Sequence, residues 1–239
     1  MNDLTTFLND LESHNKTSLS QCAETFSRVH ANDGLIYSAG SGHSLAMVME
    51  TFFRAGGLAL VRPVMTMDLL PLDGALRSTL LERDPGLGET VLSTYPITGD
   101  DAVVIFSNSG RNPYPVEIGQ AAKKTGASVI AFTSVSASNS AQPRASARLH
   151  EVADIVIDTM TPPGDVSHPK GEPITSPLST IACATLWSCV LARTVSLDPT
   201  FPLWRSANSD GNDSYNATLI EKLKDRIPEL YGTHSELST

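Results

Sequence analysis

The chain has 239 residues, 17 basic side chains against 26 acidic ones, and a formal charge of −9. That length suits one large domain or one domain with appendages, and it can bury a full core without disulfides. Hydrophobic residues at 41% and charged residues at 18% exclude a disordered chain, and the acidity argues against nucleic acid or a membrane surface as partner.

In chain order, Leu4, Phe7, Leu8 and Leu11 recur at helical spacing, and Leu19, Cys22, Ala23, Phe26 and Val29 continue the stripe. This predicts one long N-terminal helix ending near Asn32-Asp33-Gly34, with an apolar face wide enough to suit packing on a second subunit. A strand is predicted over 35–39, a helix over 44–55, and a second strand over 58–61 that Pro63 closes. Residues 64–99 are less regular, with short helices expected at 74–83 and 88–94. A third strand is predicted at 102–106, a helix at about 115–124, a fourth strand at 128–132 and a fifth at 155–157. Continuous apolar strands alternating with helices imply a parallel sheet covered on both faces. The nearly all-apolar stretch 177–195 reads as a core or interface helix, not a membrane anchor, because Ser179, Thr180, Thr185, Ser188 and Arg193 interrupt it. The organisation is therefore a single domain over 1–239: a leading helix (1–33), an α/β core (34–195), and a polar tail with a short C-terminal helix (196–239).

The three cysteines, Cys22, Cys183 and Cys189, form no C-x-x-C pair and read as reduced thiols. The N-terminal MNDLTTFLNDLE has neither the basic nor the apolar region of a secretory signal, so a cytoplasmic protein is expected.

In open parallel sheets, ligands bind where loops leave the carboxyl ends of strands. Three such loops are small and polar. The first, Gly40-Ser41-Gly42-His43-Ser44, joins a strand to a helix; its glycines allow close approach of an anion, and its hydroxyls and amides suit phosphate. It lacks the third glycine of a dinucleotide fingerprint and the Gly-Lys-Ser/Thr of a P-loop. The second, Ser107-Asn108-Ser109-Gly110-Arg111-Asn112-Pro113, has the same strand-to-helix setting. Both could instead be turns that merely cap helices, although two in one sheet make coincidence less plausible. The third, Thr133-Ser134, adds hydroxyls of lower specificity.

GSGHS after one strand, FSNSGRNPYPVEIG after another and a following strand ending AFTS resemble a sugar isomerase (SIS) domain. RAGG at 54–57 and the tail SANSDGNDSYNATLIEKLKDRIP extend the resemblance, to an uncharacterised branch related to phosphoheptose isomerase, over almost the whole chain. The resemblance implies a three-layer α/β/α sandwich around a five-stranded parallel, flavodoxin-like sheet. It also implies a phosphorylated sugar as ligand, and a homodimer or homotetramer with shared active sites. Carried over by position, it makes Ser44, Ser107 and Ser109 the phosphate-holding serines, with Gly42, His43, Asn108, Gly110 and Thr133 around them; the Ser41 hydroxyl is a further phosphate candidate read from the first loop itself.

Aldose–ketose interconversion moves a proton between adjacent carbons through an enediol; a carboxylate base is the usual carrier, and an imidazole can act at the sugar oxygens. Glu50 lies on the helix after the first loop, one turn short of the family's base position, where this chain has Arg54. It is the candidate base; the alternative is a surface carboxylate paired with Arg54 at i, i+4. His43 in the first loop and His168 in the segment 161–171 are the candidate imidazoles, against structural or incidental roles. The family's second imidazole, on the last long helix, has no counterpart, because 177–195 contains no histidine. His14, His30, His150 and His234 are scattered. No spacing matches a structural zinc site, and neither metal nor cofactor is expected. The function expected is a phosphosugar isomerase; the alternatives are a phosphosugar sensor, or deamination or ether cleavage of a phosphosugar on the same fold.

Overall fold

The computed structural model describes residues 2–232, so His234 lies outside the described residues. Strands β1 (Ile36–Gly40), β2 (Val61–Val64), β3 (Ala102–Phe106), β4 (Ser128–Thr133) and β5 (Ile155–Asp158) pair in parallel in the order β2-β1-β3-β4-β5. Every residue of β1 and β3 is buried, as strands covered on both faces must be.

The helices are α1 (Asn2–His14), α2 (Lys16–Ala31), α3 (Leu45–Thr51), α4 (Ala75–Leu81), α5 (Leu87–Leu92), α6 (Pro113–Thr125), α7 (Val135–Asn139), α8 (Leu149–Val152), α9 (Ser179–Leu197) and α10 (Asn212–Leu223). The crossover through α3 runs from β1 outward to β2, and the one through α6 runs the other way, from β3 to β4. Right-handed crossovers in opposite directions put their helices on opposite faces of the sheet. The contacts agree: α9 packs on α1, α2 and α3, whereas α6 packs on α5, α8 and the central strands. This is the expected three-layer sandwich. Trp187 of α9 fills its centre, with ring centroids 5.8 Å from Phe26, 6.2 Å from Phe106 and 6.2 Å from Phe132. α9 is long and apolar enough to cross a membrane by length and composition, yet Ala182, Leu186, Trp187 and Val190 are buried against the sandwich.

The structure corrects the predicted elements in several places, among them two unforeseen short helices, α7 and α8. The leading helix is two helices, interrupted at Asn15, whose Nδ2 donates to the carbonyls of Leu11 at 2.9 Å and Asp158 at 2.8 Å. The second strand begins three residues later than predicted and contains Pro63. The apolar run before it packs on the tail instead, with a bridge between Leu58 and Leu203 and Ala59 N–H donating to Pro202 at 2.8 Å. Proline is tolerated in β2 because β2 is an edge strand. α3 ends at Thr51 rather than 55, since Phe52 is extended and Phe53, at φ 44°, turns to pack its ring 4.8 Å from Trp204. Residues 166–177 form an unforeseen hairpin, β6 (Val166–His168) with β7 (Thr175–Pro177).

The excursion between β2 and β3 carries α4 and α5. α5 seats on α6 at Gly88, where a Cβ would stand only 2.5 Å from the Tyr114 carbonyl oxygen. The Glu117 carboxylate accepts the amides of Gly86 at 2.8 Å and Gly88 at 3.0 Å, locking the pair.

Candidate functional site

The strand order reverses between β1 and β3, and the loops after these two strands are the two serine-rich loops. A sheet of this order opens a crevice at that switch point, which is where ligands bind in such folds. A cleft of about 520 Å³ lies there. Ser41, Gly42, His43 and Ser44 line one side, and Ser107, Asn108, Ser109 and Arg111 line the other. Glu82, Arg144, Asp165 and Ser179 complete the walls among others.

The first loop turns tightly out of β1, with Gly42 at φ 56° and Ser44 N–H donating to the Ser41 carbonyl at 3.0 Å. The second loop is held from beneath. Asn108 Oδ1 accepts the hydroxyls of Thr159 at 2.9 Å and Thr161 at 2.8 Å, and its carbonyl accepts Ser134 N–H at 2.9 Å. Gly110 sits at φ 55°, where a Cβ would fall 2.6 Å from the Thr133 Oγ1. Its carbonyl accepts Leu149 N–H at 2.7 Å, and its own N–H reaches Ser107 Oγ at 3.3 Å. So many fixed contacts leave the serine hydroxyls as the adjustable donors of a pre-formed loop.

The far wall is charged. The Asn112 side chain bridges Glu82 and Arg144: its Nδ2 donates to Glu82 Oε1, and its Oδ1 accepts Arg144 Nη1 at 2.9 Å. Partial desolvation, then repulsion from Arg111 and Arg83, holds the Arg144 guanidinium below its ordinary range, though it stays charged. Asp165 is engaged at the start of α9, accepting Leu178 N–H at 3.1 Å and Ser179 N–H at 2.8 Å. In a side recess next to His43 and Ser44, burial pushes the Cys183 thiol up to about 12.

Of the residues singled out from sequence, Ser41, Gly42, His43, Ser44, Ser107, Asn108 and Ser109 converge on the cleft. Gly110 and Thr133 are not among its lining. Thr133 is fully buried and donates its hydroxyl to the Asn108 carbonyl at 3.3 Å, so both support the loop from behind. Glu50 is also absent from the lining and is ion-paired with Arg54, one turn along. His168 is exposed on the β6 hairpin and is not among the lining residues. Sequence reasoning missed Glu82, Arg144 and Asp165, which reach the cleft only through tertiary folding, and passed over Arg111 inside the second loop itself. Among the described residues, no group of three or more His, Cys, Asp or Glu side chains is placed to hold a metal.

Residues 1–134, which include both serine loops, match the profile of the SIS domain family. A UPF0309 protein of Geobacillus kaustophilus is 36% identical over 232 residues, covering 93% of this chain and 92% of its own length. A UPF0309 protein of Brucella canis is 33% identical over 235 residues, 96% of each chain. Among solved structures, phosphoheptose isomerase from Neisseria gonorrhoeae superposes with a TM-score of 0.55 at 16% identity, over 80% of this chain and 93% of the other. That last likeness is one of fold.

Proposed function

The chain belongs to the SIS domain family, and from that premise we propose that it binds a phosphorylated sugar between the β1 and β3 loops and interconverts its aldose and ketose forms. The observation that carries this reading is the convergence of Ser41, Ser44, Ser107 and Ser109 on one cleft at the switch point of the sheet. Hydroxyls and loop amides hold a small dianion without a basic groove, which reconciles phosphate recognition with a net charge of −9. Fixing the phosphate holds the reacting carbons against the far wall, so binding energy from a non-reacting group lowers the barrier. His43 stands in the first loop, where an imidazole can serve a sugar oxygen.

The reading needs no cofactor. The expected homodimer or homotetramer belongs to it as well, since Leu4 on α1 and Ile181 on α9 are left exposed, and assembly is the means by which Glu50 or His168 would serve a neighbour's cleft. The three free thiols suit a reducing, cytoplasmic setting. A second reading, a phosphosugar sensor without catalysis, is favoured by the position of Glu50 and His168 outside the cleft of their own chain.

Calorimetric titration with glucose 6-phosphate and with glucose tests the binding. The phosphate ester is expected to bind at least tenfold more tightly, and the Ser44→Ala/Ser109→Ala variant should erase the difference. Equal binding of ester and free sugar would mean that these loops do not hold phosphate. Deuterium appearing at C1 or C2 in deuterated water separates isomerase from sensor.

A further inference from the structure

Proton transfer between sugar carbons needs a base that faces the ligand with a free lone pair, and a carboxylate is the usual carrier. Two carboxylates line the cleft, Glu82 and Asp165. Both oxygens of Asp165 are engaged at the start of α9, by the Leu178 and Ser179 amides and by the Ser179 hydroxyl. Glu82 is held at one oxygen only. Its Oε1 accepts from Asn112, while Oε2 has no hydrogen-bond partner among the described residues. That free oxygen points to the first serine loop: a Cβ placed on Gly42 would lie 3.7 Å from it.

The way Glu82 is held also argues for a purpose. Asn112 stands at the N-cap of α6, where asparagine usually turns its side chain onto the helix amides, yet it makes no side-chain cap bond. It faces the cleft wall instead. Its orientation is set by chemistry, because the Arg144 guanidinium can only donate and so fixes Oδ1 toward itself and Nδ2 toward Glu82. The main chain adds a second tie, Tyr114 N–H to the Glu82 carbonyl at 3.3 Å. Glu82 is thereby pinned to the start of α6, directly after the second serine loop, while one carboxylate oxygen stays open.

We propose that Glu82 is the catalytic carboxylate that carries the proton between adjacent sugar carbons, with Asn112 and Arg144 as its positioning residues. This rests on the isomerase reading above. Starting from the open-chain aldose, the Glu82 carboxylate takes the C2 proton. The C2–H electron pair becomes the C1–C2 double bond, and the carbonyl pair moves onto O1, which takes a proton from His43 or water. The enediol then loses its O2 proton to that same group, O2 becomes the ketone, and C1 takes the proton back from the Glu82 carboxyl. The sugar gains and loses nothing, and every enzyme group returns to its starting state.

The test uses the full chain with ribose 5-phosphate, glucose 6-phosphate, fructose 6-phosphate and a heptose 7-phosphate in deuterated water, followed by proton NMR. For any probe that wild-type protein exchanges, Glu82→Gln is expected to lower the exchange rate about 10³-fold with KM within threefold. Glu82→Asp, which keeps the charge if the glutamine variant folds poorly, should retain a measurable fraction. Asn112→Leu should lower kcat about tenfold or more without raising KM, and Arg144→Lys should recover more of it than Arg144→Leu. Exchange within threefold of wild type in Glu82→Gln overturns the assignment of Glu82 and leaves the isomerase reading standing. No exchange of any probe by wild-type protein overturns that reading and the assignment together.

Discussion

Asn15 and Asp158 exchange a pair of hydrogen bonds across the domain, with Asn15 Nδ2 donating to the Asp158 carbonyl at 2.8 Å and Asn15 Oδ1 accepting the Asp158 amide at 2.7 Å. A side-chain amide thus extends the ladder of edge strand β5, and ties the junction of α1 and α2 to the sheet. The next residues along, Thr159 and Thr161, hold Asn108 in the second serine loop. A break in the N-terminal helices is in this way connected to the floor of the cleft.

Asn15→Leu should cost about 2–4 kcal/mol, because it leaves the Asp158 amide and carbonyl without partners in a site where Asn15 is only 2% exposed. Urea unfolding measures this. A loss below about 1 kcal/mol would mean that water replaces the amide.

Gly110→Ala should weaken glucose 6-phosphate binding and lower stability by about 1–3 kcal/mol, since the added methyl meets Thr133 Oγ1 at 2.6 Å and the backbone is left-handed there. Adding Thr133→Ala relieves the contact but not the backbone strain, so recovery should be partial. Thermal melts and calorimetry of the single and double variants check it; no coupling between the two sites would contradict the contact.

The thiols should separate by reactivity. Burial raises all three, and Cys22 and Cys183 are enclosed while Cys189 is partly exposed. Iodoacetamide at pH 8 should alkylate Cys189 first and reach the other two only on unfolding, as read by peptide mass spectrometry. Cys183 reacting as fast as Cys189 would show that the recess beside His43 opens.

The Thr200 hydroxyl, then the His30 ring at 2.6 Å, hold the Asp198 carboxyl below its ordinary range of about 3.9. A carboxyl depressed in the folded state contributes stability above its unfolded value and loses it as pH falls through the folded one. Asp198→Asn should therefore be about 1–2 kcal/mol less stable at pH 7. That deficit should shrink as pH falls below the ordinary carboxylate range. A deficit that is constant from pH 7 to pH 3 would exclude the charge as its source.

The sequence by itself determined the sheet, because strands buried on both faces must be continuously apolar. Ala102–Phe106 accordingly stands where the pattern put it. It also determined the two serine loops, whose glycines and hydroxyls are contiguous and need no folding to be recognised. It misplaced β2, since Leu58 and Ala59 are as apolar as a strand and only their contacts with Leu203 and Pro202 show that they serve the tail. It merged α1 with α2, since the Asn15 side chain at their junction bonds Asp158, far away in sequence, and no local spacing records that pair. Tertiary structure alone decided the far wall of the cleft. Glu82, Asn112 and Arg144 are separated in sequence by about thirty residues each, and no periodicity or local spacing records a hydrogen bond between them. Glu50, by contrast, sits one turn short of the expected base position and is paired with Arg54, as a surface carboxylate pairs with the nearest cation one turn away.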